Sequence, residues 1–386
     1  MRAPAFDGRS FARAALAARA TLAASASAAL LAVAPAVRSA VAADAPPPAR
    51  PWYEEVAVNG FVSTSYSYNF NRPDSRLNYY RVFDFDDNSF KVDVVELVLQ
   101  RAVAKPREAG FRVDFAAGGS IPRVSAAAGL FRDPATGAAQ DFDLQQAFAS
   151  YIAPLGAGLR FDAGKFITHH GAEVIEGYDG WNENATRSFL FGYAIPFTHT
   201  GLRAVYAFDP RVSATAMIVN GWDVATDNNR AKSFGAQVAF TPRPEVAWYL
   251  SGMIGRERPE GDGETRRLLD IVATLKPAAK LTMTANFDLG HENDDWYGGA
   301  LTARWQARER FGLIARAEGF DDRAAVRTGT SQTLAEFTLT PELHVTPHLV
   351  VRADLRRDRS NHPTFMNRRR ATDHQTTVLL NVLGWF

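Results

Sequence analysis

The side chains in this sequence that could do chemistry are few and scattered. His169-His170-Gly171-Ala172-Glu173 has metal-ligating types, but a loop offers no fixed i, i+4 face and no fourth ligand lies near, so polar loop surface is the better reading. Asp84-Phe85-Asp86-Asp87-Asn88 and the stretch from Asp223 to Asn229 are rich enough in oxygen to hold Ca²⁺ between loops, although solvated loop again accounts for them better. Ser360 and His374 are as near as the chain comes to a hydrolase pair. Nothing fixes them together, and no nucleophile motif is present. Cys is absent from all 386 residues, which removes thiolate metal sites and thiol nucleophiles. The expectation is no catalytic residue, no metal and no cofactor.

Charges placed in alternation say more. Arg316 and Glu318, then Glu336 and Glu342, then Arg352, Asp354, Arg356 and Asp358 fall in three successive strand-like segments, 310–321, 332–345 and 348–358. Period two puts them on one face, where mixed signs make a hydrated wall on which ions and small polar solutes exchange part of their hydration. A cross-strand ladder that stiffens the wall is the plainer alternative. A second set lies in the longest connection, Thr168 to Thr198: His169, His170, Glu173, Glu176, Asp179, Glu183 and Arg187. A connection this long without its own secondary structure usually has a function. It is expected to fold inward, face the arginines of the opposite wall and form a constriction.

Those expectations need strands to carry them. Leu281, Met283, Ala285, Phe287 and Leu289 alternate without a break with Thr282, Thr284, Asn286 and Asp288, a pattern no helix could place on one side. Sixteen such segments can be counted between 56 and 386, with fourteen as the nearest other count. The even-to-odd connections are tight and Pro- or Gly-marked, as in Asp209-Pro210-Arg211 and Thr346-Pro347-His348, while most odd-to-even ones are long. Strands of about ten residues tilted ~45° rise about 24 Å, close to the apolar band of a membrane barrel. A soluble β-sandwich also alternates. Alternating loop lengths favour an all-β fold, a closed antiparallel transmembrane β-barrel with short periplasmic turns and long extracellular loops.

The two ends of the chain agree. Gln375 to Phe386 stops on an aromatic residue inside a strand, with Thr376, Val378, Leu380, Val382, Gly384 and Phe386 on one nearly apolar face. Closure against the first strand removes the exposed edge. Residues 1–42 read as a signal peptide, with Arg2, Arg9, Arg13 and Arg19 before an Ala/Leu-rich run and Ala40-Val41-Ala42 as cleavage site. A Pro-rich linker over 43–55 follows, and the barrel occupies 56–386. The whole chain carries a formal charge of +1. Losing five Arg and one Asp with the leader turns that into a small acidic excess, which leaves nucleic-acid binding without support.

Longer motifs carry a resemblance. Gln146-Ala147-Phe148 with Tyr151-Ile152-Ala153-Pro154-Leu155-Gly156, Gly164-Lys165-Phe166 with Gly171-Ala172-Glu173, Ile195-Pro196-Phe197-Thr198-His199-Thr200-Gly201, Val219-Asn220-Gly221-Trp222-Asp223 and Arg352-Ala353-Asp354-Leu355-Arg356-Arg357-Asp358-Arg359-Ser360 resemble the outer-membrane β-barrel porin family called porin-2, or OmpL-like, over about 56–386. Phe148 stands where that family often has Tyr. The resemblance implies an outer-membrane porin of a Gram-negative bacterium, a water-filled channel for passive diffusion of small hydrophilic solutes or ions. It supplies no catalytic or binding residues. Its expected partners are outer-membrane lipid, the barrel-assembly machinery that reads a terminal Phe such as Phe386, small polar solutes or ions, and further copies of the chain. The other class is a structural, adhesive or enzymatic barrel without pore activity.

Overall fold

The computed structural model describes residues 51–259 and 264–386. The expected signal peptide, and the linker up to residue 50, lie outside them. The strands are β1 (Ala57–Asn69), β2 (Ser89–Arg101), β3 (Ala109–Ala117), β4 (Phe142–Ala153), β5 (Leu159–Ile167), β6 (Thr198–Ala207), β7 (Val212–Val219) and β8 (Ser233–Arg243). They continue with β9 (Val246–Arg256), β10 (Thr265–Ala278), β11 (Leu281–Glu292), β12 (Asp294–Arg308), β13 (Phe311–Asp322), β14 (Gln332–Thr346) and β15 (Leu349–Ser360). A short hairpin, β16 (Phe365–Asn367) and β17 (Arg370–Thr372), precedes the last strand, β18 (His374–Trp385). β1 to β15 and β18 form one closed antiparallel barrel of sixteen strands, each paired with its sequence neighbours, and β18 pairs back onto β1. The hairpin stands apart as its own small sheet.

The alternation read from the sequence sets the two faces. On β15, Arg352, Asp354, Arg356 and Asp358 are buried, while Val351, Leu355, Arg357 and Arg359 between them are exposed. Exposed apolar side chains such as Leu250, Ile254, Phe337, Leu355 and Leu380 make the outer band that faces lipid. At the closing seam Phe61 pairs with Trp385 and Asn69 with Thr377. Phe386 extends the ladder by one residue, its N–H donating to Gly60 O (3.0 Å) and its carbonyl accepting from Gly60 N (3.1 Å). The Phe386 ring lies over Gly60, so close that a Cβ there would sit 2.3 Å from it and the exposed ring would have to swing aside.

Connections alternate between a short rim and a long one. The exception is β11 to β12, which turns through Asn293 alone in the left-handed region (φ 63°), a conformation Asn tolerates better than most residues. The long-rim connection 118–141 contains a helix, Ile121–Ala128, and the connection 168–197 contains one π-turn, Leu190–Ala194.

Candidate functional site

Sixteen strands enclose an interior wider than their own side chains fill, and the connection between β5 and β6 occupies it. Residues 168–197 enter at the long-loop rim and descend to the short-turn rim. Their tip is a tight bend in which Gly177 N donates to Gly180 O at 2.9 Å. Tyr178 donates its N–H to Glu96 (3.1 Å) and its hydroxyl to Gln100 (3.1 Å), both near the short-turn end of β2. Asp179 accepts from Arg112 (2.5 Å). Trp181 packs on Trp385, the penultimate residue of the chain, with ring centroids 4.4 Å apart.

The charged wall holds this loop largely by its main chain. Arg316 donates to Glu173 (2.8 Å) and to Thr186 O (2.8 Å). Arg352 donates to Glu176 (2.6 Å) and to Asn182 O (2.5 Å), and Arg356 to Arg187 O. In the other sense, Asp354 accepts from Thr186 N (2.7 Å) and its hydroxyl (2.8 Å), and Glu318 accepts from Phe189 N. Most of the wall charges also have a partner within the wall or the first loop: Glu336 on Arg316 (2.6 Å), Asp358 on Arg356 (2.6 Å), and Arg81 on Asp358 (2.5 Å), while Glu318 holds only the loop amide, its second carboxylate oxygen buried without a hydrogen-bond partner among the described residues. Glu342 pairs with Arg304, which also reaches Glu183 (2.6 Å). All eight wall residues named from the sequence therefore face inward together, on β13, β14 and β15. They are dry and largely paired, nearer to the stiffening ladder than to the hydrated row, the two readings that alternation left open. An ion pair or charged hydrogen bond inside a protein is stronger than in water and costly to half-remove.

The seven loop residues divide between the two sides of the barrel. Glu173, Glu176, Glu183 and Arg187 meet the β12–β15 side, and Asp179 meets β3. Burial pushes the Glu176 carboxyl up, but Arg187 (2.9 Å) and Arg352 outweigh it and hold it below the ordinary range. His169 and His170 turn to β8–β10: Gln237 donates to His169 O (2.9 Å), and His170 Nδ1 lies 3.9 Å from Asp270. Burial, then the neighbouring His199 and Arg203, depress His169 to about 3. Burial likewise takes His170 well below the ordinary value, with His169 and His199 adding to it. Both imidazoles are neutral. The next two amides, Gly171 N and Ala172 N, donate to Asp270 and Asn286 (both 3.0 Å).

Above the tip the loop is apolar. Phe189, Leu190, Phe191, Ala194, Ile195 and Phe197 join Phe83, Trp222, Trp296 and Phe320 in one buried cluster under the long-loop rim. A second buried cluster covers the inner face of β18 near its end, where Leu383 groups with Phe61 and Val350, and Tyr178, Trp181 and Trp385 pack against them; that face is therefore less polar than a water-facing wall should be. The opposite inner wall differs. From β7 to β12 its inward positions include Ser213, Thr215, Gln237, Thr241, Tyr249, Thr282, Thr284 and Thr302, uncharged and half-exposed. Ala172 and Val174 on the loop are exposed toward the interior.

The other sequence candidates are not brought together. Ser360 points inward to Gln332 (3.0 Å), whereas His374 is on the outer face beside Asp373. Asp84 pairs with Arg81, Asp87 accepts from Asn69 N (2.6 Å), and Asp223 accepts from Phe197 N (2.6 Å) and Thr198 N (2.9 Å). Among the described residues no group of three His, Asp or Glu is spaced to hold a metal. Residues that sequence reasoning passed over include Arg304, Glu96, Asp270, Asn286 and Trp181. The first four sit inward on regular strands; the alternation over 281–289 already put Asn286 on the polar face without giving it a role, and extending the count to β2, β10 and β12 would have found the other three. Trp181 carries no such signal.

A family model described as "Putative beta-barrel porin-2, OmpL-like" matches residues 55–386. No curated protein matches the chain in sequence. Among solved structures, the anion-selective porin from Comamonas acidovorans is similar at 11% identity and a TM-score of 0.59, over 86% of this chain and 99% of that one. OprB of Pseudomonas putida is similar at 13% identity and a TM-score of 0.59, over 86% and 95%. OmpT of Vibrio cholerae in a trimer form is similar at 12% identity and a TM-score of 0.57, over 86% and 99%.

Proposed function

Because the chain belongs to the beta-barrel porin-2, OmpL-like family and is an outer-membrane porin, we propose that small hydrophilic solutes cross it along a crescent between the inserted loop and the β7–β12 wall. The single observation that supports this is the division of the interior. The β13–β15 side is charged, dry and fastened to the loop; on β7–β12 the loop is held at Gln237, Asp270, Asn286 and Arg304, and toward the short-turn rim the inward Ser, Thr and Tyr side chains stay half-exposed. Hydroxyl and amide groups offer passing solutes hydrogen bonds without a deep electrostatic trap, which suits weak, passive passage. The loop is the constriction, with His169, His170, Glu173, Glu176, Asp179, Glu183 and Arg187 fixing its place. The apolar cluster at the long-loop rim makes the seated state a poorly conducting one. The leader over 1–42 directs export, the protein acts without catalysis, and copies associate as in the trimeric Vibrio structure.

Excising Ala172 to Arg187 tests the route. Removing the tip and its two descending arms leaves a wide tube, so single-channel conductance in planar bilayers rises several-fold. Unchanged current from a correctly folded barrel would sink the assignment and favour a structural or adhesive barrel.

A further inference from the structure

The outer face of the barrel carries a cluster of charge where the apolar series of β15, β18 and β1 end. On β15 the outward series Leu349, Val351, Ala353, Leu355 ends in Arg357 and Arg359. On β18 the series Val382, Leu380, Val378 ends in Thr376 and His374, and Arg357 lies opposite Thr376 while Arg359 lies opposite His374. On β1 the outward series ends in Tyr66, Tyr68 and Phe70, where Phe70 N bonds Thr376 O at 2.9 Å. Arg72, just beyond, turns back along the outside to donate to the Tyr68 hydroxyl (2.8 Å). Three guanidiniums thus surround Thr376 and His374, two strand spacings or ~10 Å across. They lie just above the apolar band, at the level of an aromatic belt.

Each has donors to spare. Among the described residues Arg72 uses only Nε, Arg357 uses Nη1 on Thr376 (3.0 Å), and Arg359 reaches Asp373 at 3.5 Å with its side chain 63% exposed. A guanidinium presents five N–H groups in a fork that matches phosphate oxygens. At the same height the neighbouring strands offer Ala335 and Thr333 on β14, and Gly319 and Asp321 on β13. Above the three hang Arg368, Arg369 and Arg370 of the β16–β17 hairpin, of which Arg369 pairs with Asp74. The barrel wall separates all of them from the interior, so no passing solute meets them. A charge on the lipid face is tolerated only toward the interface, where anionic headgroups provide counter-charge.

We propose that Arg72, Arg357 and Arg359 form a binding site for the phosphorylated headgroup of an outer-leaflet lipid. Tyr68 and Phe70 seat its acyl–headgroup junction, and the hairpin arginines meet charge farther from the membrane.

The test uses the full folded barrel in vesicles of zwitterionic phosphatidylcholine titrated with diphosphorylated lipid A. Native mass spectrometry after gentle extraction counts retained lipid. The unaltered protein keeps about one lipid A per barrel, and its unfolding temperature rises with lipid A. The combined variant Arg72→Gln, Arg357→Gln, Arg359→Gln loses at least tenfold in retention and loses that rise. Arg256→Gln with Arg267→Gln, which removes two other exposed outward arginines on β9 and β10, leaves retention within twofold. Should the triple variant not fold, the Arg→Lys series keeps the charges but not the forks and still lowers retention. Equal retention by the triple variant, an equal loss with the β9–β10 pair, or displacement of lipid A by millimolar inorganic phosphate would each overturn the proposal. A change in oligomeric state with retention intact would instead make the patch a contact between copies and overturn it as well.

Discussion

Replacing Arg352 by Gln should loosen the seated loop without removing any of it. Arg352 is fully buried and joins three partners: Glu176 (2.6 Å) and Asn182 O (2.5 Å) on the loop, and Asn381 (2.8 Å) on β18. A shorter Gln side chain can keep Asn381 but not both loop contacts. Hydrogen bonds to charged groups contribute about 1.5–3 kcal/mol each, and Glu176 retains Arg187, so the seated state should lose about 3 kcal/mol in all. At about 1.4 kcal/mol per factor of ten, the unseated population rises roughly 100-fold. Single-channel recording reads this directly as the frequency of openings that reach the conductance of the loop-excised barrel. Arg352→Lys, which keeps a charge near Glu176 but cannot also span Asn182 O, should fall between the two. An opening frequency within twofold of the unaltered protein, in a barrel that still migrates as folded, would refute the idea that wall charges hold the loop.

Acid should favour opening. His169 and His170 are held neutral in the seated loop, below their ordinary value near 6.5, so the unseated loop takes up protons that the seated one refuses. Stability of the seated state is then complete above pH 6.5 and is lost as pH falls through the interval toward about 3. At pH 5 His169 accounts for about 2 kcal/mol and His170 acts in the same direction, so His169→Gln with His170→Asn should flatten the pH profile of channel openings. At the seam, deleting Phe386 removes both bonds to Gly60, and the chain should lose its heat-modifiable folded form. Gly60→Leu should have a smaller effect in the same direction, because its side chain displaces the exposed Phe386 ring while the backbone bonds can persist. A folded Gly60→Leu barrel of normal stability would contradict the packing described.

The sheet was legible because a barrel strand shows its two faces in its own sequence. The unbroken alternation from Leu281 to Leu289 marks β11, and the apolar series of β18 marks its lipid side, without any knowledge of the neighbours. Which side a charge points to was legible for the same reason: Arg316, Glu336 and Arg352 are inward as period two requires. What fills the space they point into was not legible. Alternation is a local signal, and the partners of Arg352 lie some 170 residues away in a loop without periodicity. The π-turn at Leu190–Ala194 and the helix at Ile121–Ala128 are too short to carry a helical period above the noise of their surroundings. Leu379, Leu383 and Trp385 are more apolar than a wetted wall should be, a trace within the strand that something dry lies against it.

The stack of Trp181 on Trp385 ties a residue near the middle of the chain to the last strand made. Residues 168–197 emerge from synthesis long before β13, β14, β15 and β18, which supply most of their anchors. The loop therefore has nowhere to seat until the cylinder is nearly complete, and β18 completes both the wall and the socket. Closure and narrowing become one event in time. An unfinished barrel has no continuous lumen, and a finished one already holds its loop, so no wide tube stands open at any stage of insertion.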